Sequence, residues 1–271
     1  MWTKEKKPDM IRINVLTVFP EMFGPVTDQS ILGKAGEKGV IEVNLINIRD
    51  FTEDKHRRTD DTPFGGGCGM VMTPQPVFDA LRSIEGVQNH PVLYMSPRGK
   101  LMDEALVTEL AGEEEFTILC GHYEGVDQRI IDGWNMREVS IGDYILTGGE
   151  LPAMVLIDAV SRFIPGVLGN EESAEDESIY SGLLEADQYT RPREYEGLEV
   201  PEILMGGDHH KIRLYRLMES IKLTAERRPD LFESYLETKA DFSEFTRKER
   251  AELEKLISGL RDRKPCEKTV E

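Results

Sequence analysis

No run of apolar residues in this 271-residue chain is long enough to cross a bilayer: the most apolar stretch, 153–160, is broken by Asp158 and falls far short of the roughly 20 residues a spanning helix needs. Cysteine is scarce. Cys68, Cys120 and Cys266 stand far apart and form no CxxC pair, which argues against a disulfide framework and against a zinc centre. Positive charge is also short. Thirty-three Lys and Arg face 51 Asp and Glu, a net charge of −18, and taken alone this argues against a polyanionic partner. The usual nucleotide and hydrolase signatures are missing too: no GxGxxG follows a strand, and there is no GxxxxGK[ST], GxSxG or HExxH. The opening MWTKEKKPDM is charged and lacks the apolar stretch of a secretory signal, so a cytosolic location is expected.

What remains is the composition of a globular protein. With 39% hydrophobic residues, 14 prolines and 24 glycines, the chain can bury a core, and its length suits two domains. β-like runs at 11–19, 40–48, 91–95, 116–120 and 138–145 alternate with helix candidates near 21–38, 74–84, 103–111 and 151–163. That rhythm predicts an α/β domain around a mostly parallel sheet. Residues 1–9 read as a disordered tail. Beyond Gly166 the character changes, since 171–187 holds seven acidic residues and no basic one, the composition of a flexible linker. Farther on, Ile212, Tyr215, Leu217, Met218, Ile221 and Leu223 form a helical stripe that Pro229 is expected to stop, and a last helix is expected over 243–257. The expected division is a first domain over 10–168, a linker over 169–180 and a small helical domain over 181–271.

Glycine concentrates where the expected strands end: SPRGK at 96–100, GHYEGVDQR at 121–129 and IGDYILTGGELP at 141–152. Glycine there lets backbone groups approach a ligand, and ligands of open α/β sheets sit outside the carboxyl ends of the strands. Each turn alone is an ordinary tight turn; three at successive strand ends predict one crevice. A fourth glycine-rich segment, DDTPFGGGCGM at 60–70, follows Lys55, His56, Arg57 and Arg58. It reads either as an anion-accepting loop or as a solvated surface loop. The tandem His209–His210 has no third ligand at metal spacing and reads as solvated or phosphate-contacting imidazole.

In this order and at these spacings, PFGGGCGM, YMSPRGK, CGHYEGVDQR, SIGDYILTGGELPAM, SRFIPGVLG and LLEADQYTRP resemble the bacterial tRNA (guanine-N1)-methyltransferases, the TrmD family. The resemblance implies a SPOUT-type α/β fold whose S-adenosyl-L-methionine (AdoMet) site lies in a C-terminal trefoil knot, followed by a small helical tRNA-binding domain. It also implies a homodimer with active sites shared between subunits, and a target guanosine at tRNA position 37. By the same resemblance Tyr94, Ser96, Pro97 and Gly99 form one wall of the AdoMet site, and Gly121, Tyr123, Glu124 and Gly125 a second. Ser140, Ile141, Gly142, Asp143, Tyr144, Ile145, Leu146, Gly148, Gly149 and Pro152 form the third, and Glu185 faces the AdoMet ammonium.

The family assigns a carboxylate as general base and an arginine to the guanine O6. The arginine is Arg162, four residues after Asp158, where an intrahelical ion pair is also expected. The family's usual Glu-Asp-Ser here reads Asp176-Glu177-Ser178. Glu177 matches the position of the base, with Asp176 as the alternative. Mg²⁺ comes in with the resemblance, but no site for it stands in the sequence. Between Asp208 and Arg228, Lys211, Arg213, Arg216, Lys222, Arg227 and Arg228 outnumber Asp208, Glu219 and Glu226, a local basic surface suited to RNA phosphates.

Overall fold

A computed structural model describes residues 10–168 and 181–262. The chain divides into two compact units at about residue 171. The first is built on β1 (Ile11–Thr17), β2 (Ile41–Asn47), β5 (Val92–Leu101), β6 (Glu115–Cys120) and β7 (Arg137–Ser140). They form one sheet in the order β2-β1-β6-β5-β7, and every pairing is parallel. A short antiparallel pair, β3 (Asp60–Asp61) with β4 (Val71–Met72), closes the base of the glycine-rich loop. Helices cover both faces of the large sheet, so β1 and β6 at its centre are buried nearly throughout, with Asn14, Thr17 and Thr117 among the buried residues.

Alternation along each strand sends residues to opposite layers. Ile11, Ile13 and Val15 join Phe116, Ile118 and Cys120 in one core with α2 (Ser30–Glu37), α4 (Glu104–Ala111) and α6 (Glu150–Ser161). Leu16 and Leu119 join the other core, against α3 (Pro74–Arg82) and α5 (Gln128–Gly133). α4 starts where the Asp103 carboxylate accepts the Leu106 amide at 2.9 Å, a side-chain cap that satisfies an otherwise orphaned donor.

Four expectations about elements are corrected. The helix expected over 21–38 is broken into a 3-10 turn, the short α1 (Gly24–Thr27) and α2; Pro25 restricts the first break, and Ser30 at φ 55 makes the second. The strand expected to stop at Met95 continues to Leu101 through a register shift against β7. Gly99 allows it, because a Cβ there would collide with the Glu138–Val139 backbone. The strand expected over 138–145 ends at Ser140, whose hydroxyl accepts the Gly142 amide at 3.2 Å and turns the chain. Helix α5 begins at Gln128, inside the glycine-bearing segment 121–129 expected to be a turn, and runs on to Gly133.

The second unit holds α7 (His209–Arg227), α8 (Pro229–Thr238) and α9 (Arg247–Arg261), packed over Leu183, Ile221, Phe232, Tyr235, Phe245 and Leu253. Pro229 ends one helix as expected but also begins the next, since proline at the first helical position lacks only a donor that would be orphaned there. The last helix starts later than expected: Thr246 and Glu249 form a capping box. A two-stranded hairpin, β8 (Glu194–Tyr195) with β9 (Leu198–Glu199), precedes α7.

Candidate functional site

A cavity of about 300 Å³ opens beyond the carboxyl ends of β6 and β7 and beside the register shift in β5, and its wall comes from the three glycine-bearing segments. This is where an open parallel sheet exposes backbone groups that no further strand uses. The segment after β6 carries Tyr123 at φ 60 and Gly125 at φ 119. It is held from outside by the chain leaving the glycine loop: the Glu124 amide donates to the Met70 carbonyl at 3.0 Å, and the Met72 amide to the Gly125 carbonyl at 2.9 Å. The segment after β7 is tied to it by the Gly149 amide, which donates to the Gly121 carbonyl at 2.8 Å. Tyr123, Tyr144, Ile145 and Leu146 are exposed at this site, a set of flat and apolar surfaces suited to an aromatic ring. Burial, reinforced by Glu138, pushes the Tyr94 phenol above its ordinary value, so it stays neutral.

The structure brings most of the expected residues together. Tyr94, Ser96, Pro97, Gly121, Tyr123, Glu124, Gly125, Ser140, Ile141, Gly142, Tyr144, Ile145, Leu146, Gly148, Gly149 and Pro152 all line the cavity. Gly99 and Asp143 are not on its wall; Gly99 packs against β7, and Asp143 is exposed. Arg162 is half-buried just past the end of α6, and Glu185 is exposed in the second unit. Glu177 and Asp176 lie outside the described residues. Met95, Arg98, His122, Val126, Ile131, Val139 and Thr147 also line the cavity and escaped the sequence reading. His122 had a signal, a ring-bearing polar residue between two of the chosen glycines, whereas Val126 and Ile131 give none.

Charge around the site is largely paired. Arg98 lies 3.7 Å from Glu138, Arg58 pairs with Asp54 at 3.2 Å, and Arg57 pairs with Asp50. The glycine loop therefore presents less free positive charge than its sequence suggests, and Phe64 at its tip is fully exposed. Beneath the cavity Glu150 is buried at 1% exposure, and its Oε1 accepts the Thr17 hydroxyl at 2.8 Å. Burial, with Glu150 nearby, raises the Cys120 thiol well above its ordinary value. Among the described residues no cluster of three or more His, Cys, Asp or Glu is placed to hold a metal ion, and no helix is long and apolar enough to cross a membrane.

In the second unit Lys211 pairs with Asp208, Arg213 with Glu244, Lys222 with Glu219 and Arg228 with Asp230. The basic excess of α7 is thus mostly matched locally. Arg191, Arg193 and Arg216 instead line one cleft of about 430 Å³ together with Tyr189.

Fold and site together define an α/β protein with a cavity lined by glycine turns that follow strands of a parallel sheet. The sequence profile of the family described as tRNA (Guanine-1)-methyltransferase TrmD matches residues 11–234. The chain belongs to that family. A tRNA (guanine-N(1)-)-methyltransferase of Clostridioides difficile (strain 630) is 52% identical over 225 residues, covering 82% of this chain and 97% of the relative. The protein of the same name from Ruminiclostridium cellulolyticum is 54% identical over 224 residues, covering 82% and 96%. That of Clostridium perfringens (strain 13 / Type A) is 50% identical over 231 residues, covering 85% and 97%.

Proposed function

We propose that the chain is an AdoMet-dependent methyltransferase acting on N1 of guanosine at tRNA position 37, in the cytoplasm, as a homodimer of SPOUT-type knotted subunits. The observation that carries this reading is the family match across 11–234, joined to relatives of that name that align over nearly their whole length. The cavity fits the donor. Its size is at the lower end for small-molecule sites, its glycine turns bring backbone close to a ligand, and the surfaces of Tyr144, Ile145 and Leu146 suit adenine. AdoMet supplies an electrophilic methyl group on sulfonium.

The chain's own residues must do the rest. N1 of guanine carries a proton, so a carboxylate has to accept it as the methyl arrives. Glu177 takes that role in this reading, with Asp176 as the alternative. Negative charge then builds on O6, and Arg162 supplies the compensating cation. Arg162 stands 13 residues beyond Gly149, across the whole of α6, or about 20 Å along a helix axis. That separation favours an active site completed by a second subunit. The exposed Leu151 and Val155, one turn apart on α6, offer an apolar stripe for such a contact. Glu185 would face the AdoMet ammonium, and Arg191, Arg193 and Arg216 would meet RNA phosphates. Mg²⁺ has no assigned place in this scheme.

The test is methyl transfer from labelled AdoMet to unmodified tRNA transcripts bearing guanosine or adenosine at position 37. Label on the guanosine transcript alone is expected. Equal label on both would overturn the target base, and none on either would leave a binding protein without activity.

A further inference from the structure

The role of Glu150 is not explained by the reading above, and its surroundings are unusual for a structural carboxylate. It occupies the first position of α6 with 1% of its surface exposed, where the helix N-terminus favours negative charge. Its Oε1 accepts the Thr17 hydroxyl at 2.8 Å, and that same Thr17 oxygen accepts the Phe19 amide at 2.9 Å. Its Oε2 lies 3.9 Å from Nε2 of His122. Burying a carboxylate is expensive, and an apolar side chain of similar volume would serve packing alone at lower cost.

His122 lines the cavity and Glu150 does not. The imidazole is set between Phe19 and Tyr123, with ring centroids 5.0 and 5.4 Å away, and its backbone amide donates to the Met72 sulfur at 3.3 Å. Backbone pairing joins His122 to Gly148. A Cβ on Gly148 would run into the Glu150 carboxylate and approach the His122 ring at 2.8 Å. Carboxylate, imidazole and Gly148 backbone are therefore wedged together at one point of the cavity wall, and the carboxylate is the member anchored from behind.

We propose that Glu150, braced by Thr17, is a positioning residue that sets the His122 ring and the Gly148 backbone for the ligand in the cavity. The inference rests on the reading of that cavity as the AdoMet site. Glu150 acts through His122, as carboxylates commonly orient imidazoles at functional sites.

The test is a double-mutant cycle on the full chain, with AdoMet affinity measured by calorimetry and the His122 ring followed by NMR. Glu150→Gln keeps an oxygen for Thr17 and removes only the charge. Glu150→Gln and His122→Asn are each expected to weaken AdoMet binding about tenfold, and the double variant little further, because coupled residues do not add. The His122 ring resonances should move in Glu150→Gln while core-strand amides stay in place. Multiplying effects, unchanged affinity or an unmoved ring would overturn the proposal. If Glu150→Gln does not fold, Thr17→Val keeps the carboxylate and removes its brace; a shifted His122 ring with weaker AdoMet binding supports the proposal, and no change overturns it. Wild-type protein that binds no AdoMet refutes the underlying cavity reading, whereas wild-type binding with indifferent variants refutes only the positioning role.

Discussion

Gly149 is pressed against the end of β6 so closely that a Cβ built on it would stand 2.7 Å from the Cα of Cys120. Its amide donates to Gly121 across the same contact. Gly149→Ala must therefore push apart the turns after β6 and β7, which together make most of the cavity wall. It is expected to abolish AdoMet binding and to cost about 1–3 kcal/mol of stability, the usual scale of overpacking. Calorimetry together with thermal unfolding checks both; an alanine variant of normal affinity would show that these turns are not coupled.

For the proposed general base, Glu177→Gln should lower the rate of methyl transfer by about 10²–10⁴, the range of general-base contributions, with AdoMet binding retained. Asp176→Asn should leave the rate near wild type. Single-turnover assays on both variants decide between the two carboxylates, and the opposite pattern would assign the role to Asp176.

Arg162→Ala is expected to slow the chemical step by about 10²–10³, as for loss of one donor to a developing oxyanion. The loss should appear in kcat more than in tRNA affinity. A pure affinity effect would move Arg162 from O6 to the phosphate backbone.

Glu249 offers a pH prediction within the second unit. The Thr246 hydroxyl, then the Thr246 amide and the His210 ring, hold its carboxyl down at about 2. A carboxyl depressed on folding stabilises the protein above its unfolded value and loses that contribution as pH falls through the folded one. The difference in thermal midpoint between wild type and Glu249→Gln should therefore be full at pH 6 and shrink from about 4.5 down to about 2. A difference constant with pH would contradict this origin.

The cysteines give a chemical check on the core. Cys120 is buried with its thiol raised by desolvation, whereas Cys68 is exposed on the glycine loop. Thiolate, not thiol, reacts, so Cys68 should label quickly in the native protein and Cys120 only on unfolding. Mass mapping of labelled peptides reads the result, and native labelling of Cys120 would mean that β6 opens.

Much of this molecule was legible in its residues. The apolar run that became β6 fits a strand buried on both faces, whereas β1 and β2 carry the alternation of Ile11, Arg12, Ile13, Asn14 and of Ile41, Glu42, Val43, Asn44, and β2 stands at the sheet edge. The glycines at 121, 125, 142, 148 and 149 mark the cavity in the sequence itself, since their spacing at strand ends is a local property. Gly99 misled for an equally physical reason. A glycine admits either a ligand or a neighbouring strand, and nothing local distinguishes the two; β7 took that place.

Periodicity, backbone freedom and motif spacing are written along the chain, and they were enough to determine the alternation of elements, the family and the turns that approach a ligand. Which charges remain available was settled in part by the packed fold: Arg58–Asp54 and Lys222–Glu219 follow local spacing, but Arg213 looks free in sequence and faces Glu244, 31 residues away. Glu150 and His122, 28 residues apart, meet at the cavity wall only because the end of β6 and the start of α6 converge there. Such pairings depend on packing between elements, and a one-dimensional pattern carries no record of them.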